Sequence, residues 1–284
     1  MSTTEELTLA TYKSDLKPIW CAGCGDYGAI NPFYQALLAC ELQPKDTVIV
    51  SGIGCSGRFP YFCNTYGFHG VHGRALPTAA GMKTANPNLH IFAVGGDGDG
   101  LGIGGGHIPH VARKNVDMVY ILLDNSIYGL TKGQSSPTSP LPMKSKTAPY
   151  GYLEEPLNPL AMYLGYNVSF IARGFSGKPK QLKDLFIAAI RHPGFAIVHV
   201  MSPCVSMNQH VTFGSMKELY AELPEDYDPS NRALAFETAL DQSKLWTGLF
   251  YRDERPTLDE RLRELEARAG GRYRDLRELL THFG

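Results

Sequence analysis

Two short apolar runs, residues 90–94 and 118–123, end in Gly95-Gly96-Asp97-Gly98 and in Asp124-Asn125. Twenty-six residues separate Gly98 from Asn125, room for one helix and its turns. Short apolar runs closed by Gly, Asp and Asn read as buried strands of a parallel sheet. The spacing therefore sets a carboxylate and an amide oxygen at like ends of two neighbouring strands. Such a pair can hold one magnesium ion against a diphosphate.

Two more runs, 47–50 and 196–201, have the same character. Helical stretches alternate with them at 31–42, 78–85, 105–113 and 180–191. The last carries Leu182, Leu185, Phe186, Ala189 and Ile190 on one face. This alternation predicts an α/β fold, a mostly parallel sheet flanked by helices. Such sheets bind ligands beyond the carboxyl ends of their strands, where the loops at 51–58, 95–100, 124–131 and 202–210 fall. Residues 132–156 read as a long loop, of the kind that is a lid, an interface or disordered. From about residue 222 the composition changes, and 252–280 is dense in charge, with Leu258, Leu262 and Leu265 on one helix. The reading is a binding domain over 1–221 and a charged C-terminal extension over 222–284 that packs on the body or a partner.

Net charge is −1, from 27 basic and 28 acidic residues. No global field points to nucleic acid or an anionic membrane. No apolar run reaches the ~18 residues of a membrane helix, and the first residues are polar and acidic, so a cytoplasmic protein is expected.

Glycines let backbone N–H groups approach a diphosphate closely. Magnesium wants hard oxygen ligands. Asp97 and Asn125 supply two and the Ile127 carbonyl a third; Asp99 suits the role less well. A competing pattern, Gly100-Leu101-Gly102-Ile103-Gly104-Gly105, fits a dinucleotide fingerprint, but its turn starts too far beyond the strand.

Six cysteines in 284 residues do not form a secreted disulfide pattern. Cys21 and Cys24 have the two-residue gap that lets two thiolates bind one metal centre. With Cys55 and Cys204 they suit a 4Fe–4S cluster or a structural zinc, and spacing does not separate the two. Cys40 reads as core, and Cys63 competes weakly with Cys55. His107 and His110 have helical spacing without an acidic companion and read as packing residues.

Taken together, Trp20-Cys21-Ala22-Gly23-Cys24-Gly25, Gly52-Ile53-Gly54-Cys55, His72-Gly73-Arg74-Ala75, Gly96-Asp97-Gly98 and Tyr128-Gly129-Leu130-Thr131-Lys132-Gly133-Gln134 resemble the β subunits of 2-oxoacid:ferredoxin oxidoreductases. The resemblance covers residues 20–210. It implies a thiamin diphosphate-binding fold with magnesium on Asp97, Asn125 and Ile127. It also implies a 4Fe–4S cluster on Cys21, Cys24, Cys55 and Cys204. Cofactor contacts would come from Gly54, Gly96, Asp97, Gly98, Asn125, Ile127, Tyr128, Gly129, Leu130 and Thr131, with His72, Arg74 and Lys132 near the reacting atoms. The implied reaction decarboxylates a 2-oxoacid, passes the acyl group to coenzyme A and sends electrons to ferredoxin. Arg58, three residues after Cys55, would meet a distal substrate carboxylate, which favours 2-oxoglutarate; pyruvate and branched 2-oxoacids are the alternatives. Thiamin activation calls for a carboxylic acid, normally Glu, yet no Glu lies between Glu41 and Glu154. In the family that acid comes from an α subunit, so a heterotetramer of two α and two β chains is expected, and the isolated chain is expected to be inactive. A non-catalytic zinc or nucleotide module is the rival from another class.

Overall fold

A computed structural model describes residues 6–145, 147–270 and 281. The elements in chain order are α1 (Asp26–Ala39), β1 (Thr47–Ser51), β2 (Tyr66–His69), α2 (Ala75–Ala85), β3 (His90–Gly96), α3 (Ile108–Lys114), β4 (Met118–Asp124) and α4 (Pro159–Gly165). They continue with β5 (Phe170–Phe175), α5 (Pro179–Arg191), β6 (Phe195–Met201), α6 (Phe213–Leu219), β7 (Tyr220–Glu222), α7 (Arg232–Leu240), β8 (Leu245–Arg252) and α8 (Leu258–Arg268).

The strands form one eight-stranded sheet in the order β2-β1-β3-β4-β6-β5-β8-β7. All neighbours pair in parallel except β5 and β8. The fold is α/β, as expected. The four strands read from the sequence, β1, β3, β4 and β6, lie side by side in the sheet. From β1 the chain moves out to β2, then returns to lay β3 on the other side of β1. That reversal opens a crevice between the carboxyl ends of β1 and β3.

Both faces of the sheet are covered. Phe92 and Val94 of β3 and Val119, Ile121 and Leu123 of β4 join one core layer with residues of α1 and α5. Ile91, Ala93, Met118, Tyr120 and Leu122 join the opposite layer with residues of α2, α3, α4 and α7. Such two-sided burial makes these strands near-continuous apolar runs.

Four strands escape the apolar-run signal, each for a physical reason. β2 is an edge strand with all four residues exposed. β5 is interrupted by Arg173 and Gly174, β7 is three residues long, and β8 pairs antiparallel with β5 through a register shift. β8 also builds part of the segment beyond residue 222 into the main sheet. α8 carries Leu258, Leu262 and Leu265; residues 271–280 of the charged tail lie outside the described residues. α1 starts five residues before the expected Asn31 and contains Pro32 inside it. A proline there reads as a helix start, but the Gly28 carbonyl it leaves unpaired is tolerated in this helix. Among the described residues no helix is long and apolar enough to cross a membrane.

Phe33 of α1 is fully buried. Its ring meets Phe92, Phe59 and Phe186 edge-on at 5.0, 5.4 and 5.9 Å. Phe33→Ala should cost about 3–5 kcal/mol through the cavity it leaves. Denaturant unfolding checks this, and a loss below about 1 kcal/mol would contradict the assigned core.

Candidate cofactor site

Beyond the carboxyl ends of β1, β3 and β4 lies a cleft. Gly54, Gly96, Asp97, Gly98, Asn125, Ile127, Tyr128, Gly129, Leu130 and Thr131 all line it, with Cys55 and His72. Arg58, Arg74 and Lys132 are not in its lining. Ser56 and Asp99, from loops the sequence brings to this edge, also line it, and so does Asp26, which the sequence did not place there.

Asp97 follows β3 and is 2 % exposed. Its carboxylate receives the Thr138 hydroxyl at 3.0 Å and, at a longer 3.4 Å, the Asn125 amide N–H. No cationic side chain pairs with it among the described residues. Burial first, and the neighbouring Asp124 second, lift it well above the usual carboxylate range. A divalent cation would remove that penalty. Asn125 turns its side-chain oxygen to the N–H of Ile127 at 3.1 Å, which shapes the turn after β4. The Tyr128 hydroxyl donates to the Gly98 carbonyl at 2.9 Å. Only a glycine fits at 98, since a Cβ there would stand 2.3 Å from the Tyr128 ring.

Asp99 does other work. Its Oδ1 accepts the backbone N–H of Ile53 at 2.9 Å and of Gly73 at 2.7 Å. It thus ties the loop after β1 to the turn before α2. His72 Nδ1 stands 3.1 Å from the same oxygen, though without hydrogen-bond alignment. Arg74 leads into α2 and donates to the Ile103 carbonyl at 3.4 Å. Lys132 is exposed, at φ +82°, in the tight turn that returns from Tyr128 to Gln134.

The loops carrying the four cysteines are sewn together by their neighbours. Trp20 Nε1 donates to the Cys55 carbonyl at 2.8 Å, and Gly25 N donates to the Pro203 carbonyl at 3.1 Å. The Ser202 hydroxyl donates to Asp26 at 2.6 Å. Burial, Asp26, Cys204 and Cys21 raise the Cys55 thiol to about 11, with Arg58 opposing them. Burial first, then Asp26, hold the Cys24 thiol far up, with Cys55 and Cys204 adding to it. The thiols therefore share one neighbourhood, and a cationic metal centre would favour the thiolate forms of Cys24 and Cys55. Among the described residues no three His, Cys, Asp or Glu side chains gather closely enough to hold a single ion. Cys63 is buried beside Tyr34, and Cys40 caps α1 near Arg191.

Gly129 joins the two regions. A Cβ there would lie 3.4 Å from Cys204 Sγ, 4.0 Å from Cys55 Sγ and 3.9 Å from Asn125 Nδ2. One bare backbone unit separates the sulfurs from the carboxamide at the end of β4. The residues present fit both groups, an ion with a diphosphate on one side and a thiolate-bound centre on the other.

Residues 52–200 match the thiamine pyrophosphate enzyme C-terminal TPP-binding domain, and residues 204–267 match the C-terminal family of the pyruvate ferredoxin oxidoreductase β subunit. The β subunit of 2-oxoacid:ferredoxin oxidoreductase 2 from Aeropyrum pernix is 41 % identical over 220 residues, 77 % of this chain and 71 % of that one. This chain is a β subunit of the 2-oxoacid:ferredoxin oxidoreductase family. It is thus part of a thiamin diphosphate-dependent enzyme. Family members named for a substrate include the 2-oxoglutarate synthase subunit KorB of Methanothermobacter thermautotrophicus, 34 % identical over 262 residues and 92 % of both chains. A solved 2-oxoglutarate:ferredoxin oxidoreductase from Magnetococcus marinus, with 2-oxoglutarate, coenzyme A and succinyl-CoA bound, superposes at TM-score 0.94. It is 43 % identical, over 98 % of this chain and 97 % of that one.

Within this oxidoreductase subunit, Asp26 has a pH signature. It is 2 % exposed, and burial, opposed by Ser202 and Cys24, pushes it up to about 6. An unfolded Asp titrates near ~3.9. Between those values the folded chain binds more protons than the unfolded one, so the contribution is whole below pH ~4 and lost as pH rises to about 6. In the cofactor-free protein Asp26→Asn should flatten that fall by up to about 3 kcal/mol. Urea unfolding from pH 4 to 7 measures it; the same slope in parent and variant would contradict the assignment.

Proposed function

We propose that this chain is the thiamin- and cluster-binding catalytic subunit of a 2-oxoglutarate:ferredoxin oxidoreductase. The reaction converts 2-oxoglutarate, coenzyme A and two oxidised ferredoxins to succinyl-CoA, carbon dioxide, a proton and two reduced ferredoxins. It runs reversibly, so reductive carboxylation uses the same site. The observation that carries the reading is the position of Gly129, with Cys55 and Cys204 on one side and the Asn125 turn on the other.

Asp97, Asn125 and the Ile127 carbonyl are the proposed magnesium ligands, and the ion in turn clamps the diphosphate. Gly96, Gly98 and Gly54 leave the cleft wall open to that group. Cys21, Cys24, Cys55 and Cys204 are the proposed cluster ligands. Thiamin diphosphate, when bound, supplies the decarboxylation chemistry, and the cluster takes up electrons one at a time. Gly129 keeps the distance between them short, because no side chain intervenes. His72, on the cleft wall beside Asp99, would act at the substrate end of the cofactor; Arg74 and Lys132 lie outside the lining and would act from its rim.

Four buried carboxylates face or flank the cleft, and each already has a role. Asp97 is the proposed metal ligand, Asp124 is held by His199 and Ser126, Asp26 takes the Ser202 hydroxyl, and Asp99 takes two loop N–H groups on Oδ1 while its buried Oδ2 has no partner among the described residues. The acid that activates the aminopyrimidine is therefore assigned to an α partner, as in a heterotetramer of two α and two β chains.

Arg58 stands half-buried on the short helical turn after Cys55, close enough for its charge to oppose the rise of that thiol. Among the described residues it has no carboxylate partner. An unpaired, partly desolvated guanidinium beside the site suits the second carboxylate of 2-oxoglutarate, which it can take bidentately. The similarity to the Magnetococcus marinus enzyme supports the same substrate.

The test is coenzyme A-dependent viologen reduction by the anaerobic complex, with 2-oxoglutarate and pyruvate side by side. The parent should prefer 2-oxoglutarate. Arg58→Ala should lower its kcat/KM roughly 10- to 100-fold, the worth of a charged hydrogen bond, while sparing pyruvate. Equal losses on both substrates would remove Arg58 from substrate selection, and a pyruvate preference in the parent would overturn the substrate.

A further inference from the structure

The long segment after β4 contributes a strap, Ser135-Ser136-Pro137-Thr138-Ser139-Pro140, that runs beneath the cleft. Ser136 and Ser139 are buried. The strap folds on itself, with Ser136 N donating to Ser139 Oγ at 2.8 Å and Ser139 N to the Ser136 carbonyl at 3.0 Å. It is pinned to the β4 turn by Ser139 Oγ, which donates to the Ser126 carbonyl at 2.7 Å.

Thr138 Oγ1 lies between two buried carboxylates, 3.0 Å from Asp97 Oδ2 and 2.8 Å from Asp124 Oδ1. A hydroxyl has one proton, so it donates to one of them at a time. Asp124 has other donors. His199 Nε2 stands 2.9 Å from its Oδ2, and Ser126 gives its N–H at 2.9 Å and its hydroxyl at 3.3 Å to Oδ1. Asp97 has only the backbone N–H of Asn125 besides the strap, a long 3.4 Å contact to Oδ1, and the Ser136 hydroxyl of the strap steadies the carboxylate beside Thr138. The Thr138 proton is therefore free for Asp97 Oδ2, and Oδ1, held only by that long contact, keeps a lone pair for a cation. The strap hydroxyls are in turn oriented by groups fixed in the core.

We propose that Thr138 is the positioning residue of the metal site, orienting the Asp97 carboxylate for its cation from the strap, with Asp124 and His199 anchoring the arrangement. This rests on the reading of Asp97 as a magnesium ligand. Hydrogen-bond partners of ligating carboxylates fix their orientation, and losing them costs 10- to 100-fold in metal affinity.

The experiment uses the intact complex, depleted of magnesium and thiamin diphosphate. Magnesium is titrated at a fixed excess of thiamin diphosphate, and retained cofactor is measured after ultrafiltration. Thr138→Val removes the hydroxyl and keeps the shape; it should raise the half-saturating magnesium concentration at least ~10-fold. Thr138→Ser should return it to within a few-fold of the parent. Iron content should not change in either. Thr138→Ala carries the same expectation as Thr138→Val, so misfolding of one variant does not remove the test. Parent-like magnesium dependence in the folded Val or Ala variant would overturn the proposal, and so would a Ser variant as weak as Val. A parent that retains no thiamin diphosphate at any magnesium concentration would overturn the cofactor reading itself, an outcome distinct from those.

Discussion

A carboxylate buried at the end of a central strand, without a cationic partner among the described residues, is the interaction around which this molecule is arranged. Asp97 is 2 % exposed, and Asp124 stands close enough to repel it. Left alone, that charge opposes folding. The fold does not remove the problem by placing a lysine or arginine there. Instead it surrounds the carboxylate with backbone, glycine and strap hydroxyls, and on the proposed reading the compensating charge comes from a bound cation. His199 Nε2, 2.9 Å from Asp124, gives that second carboxylate a partner of its own. Stability of the site and occupancy of the site are thereby coupled.

The remaining acidic groups around the cleft divide the structural work. Asp99 holds two loops together through backbone N–H groups. Asp26 joins the first helix to the loop before Cys204 and lies among the thiols. These are neighbours in kind but not in role: environment, rather than residue type, assigns each one. The same logic applies to Gly129, whose contribution is the absence of a side chain where sulfur and carboxamide approach each other.

Much of this was legible in the residues. The central strands announce themselves because both faces are buried, and their adjacency makes four separate loops converge. The glycine-flanked Asp97 and Asn125 could be paired on spacing, and the four cysteines on the resemblance of their surroundings. Other parts were not legible. β2 is an exposed edge strand and β5 carries Arg173 and Gly174, so neither presents an apolar run. The carboxylate of Asp99 is next to a metal-ligand position in sequence, yet it points to the backbone of Ile53 and Gly73, which only three-dimensional proximity reveals. Thr138 belongs to a stretch of Ser, Pro and Thr that reads as plain loop, because nothing in its composition says that its hydroxyl reaches two buried acids. Asp26 follows the Cys21–Cys24 pair directly, and its position was the available signal for its place among the thiols.

The account stands most directly on the claim that one chain holds a thiolate-bound cluster and a magnesium–diphosphate site side by side. Iron, acid-labile sulfide, zinc and thiamin diphosphate can be counted in the anaerobically purified complex, together with its visible and reduced-state EPR spectra. The account predicts a brown protein with about four iron, about four sulfide and about one thiamin diphosphate attributable to each chain, and negligible zinc. A colourless protein with about one zinc per chain and no retained thiamin diphosphate would contradict it.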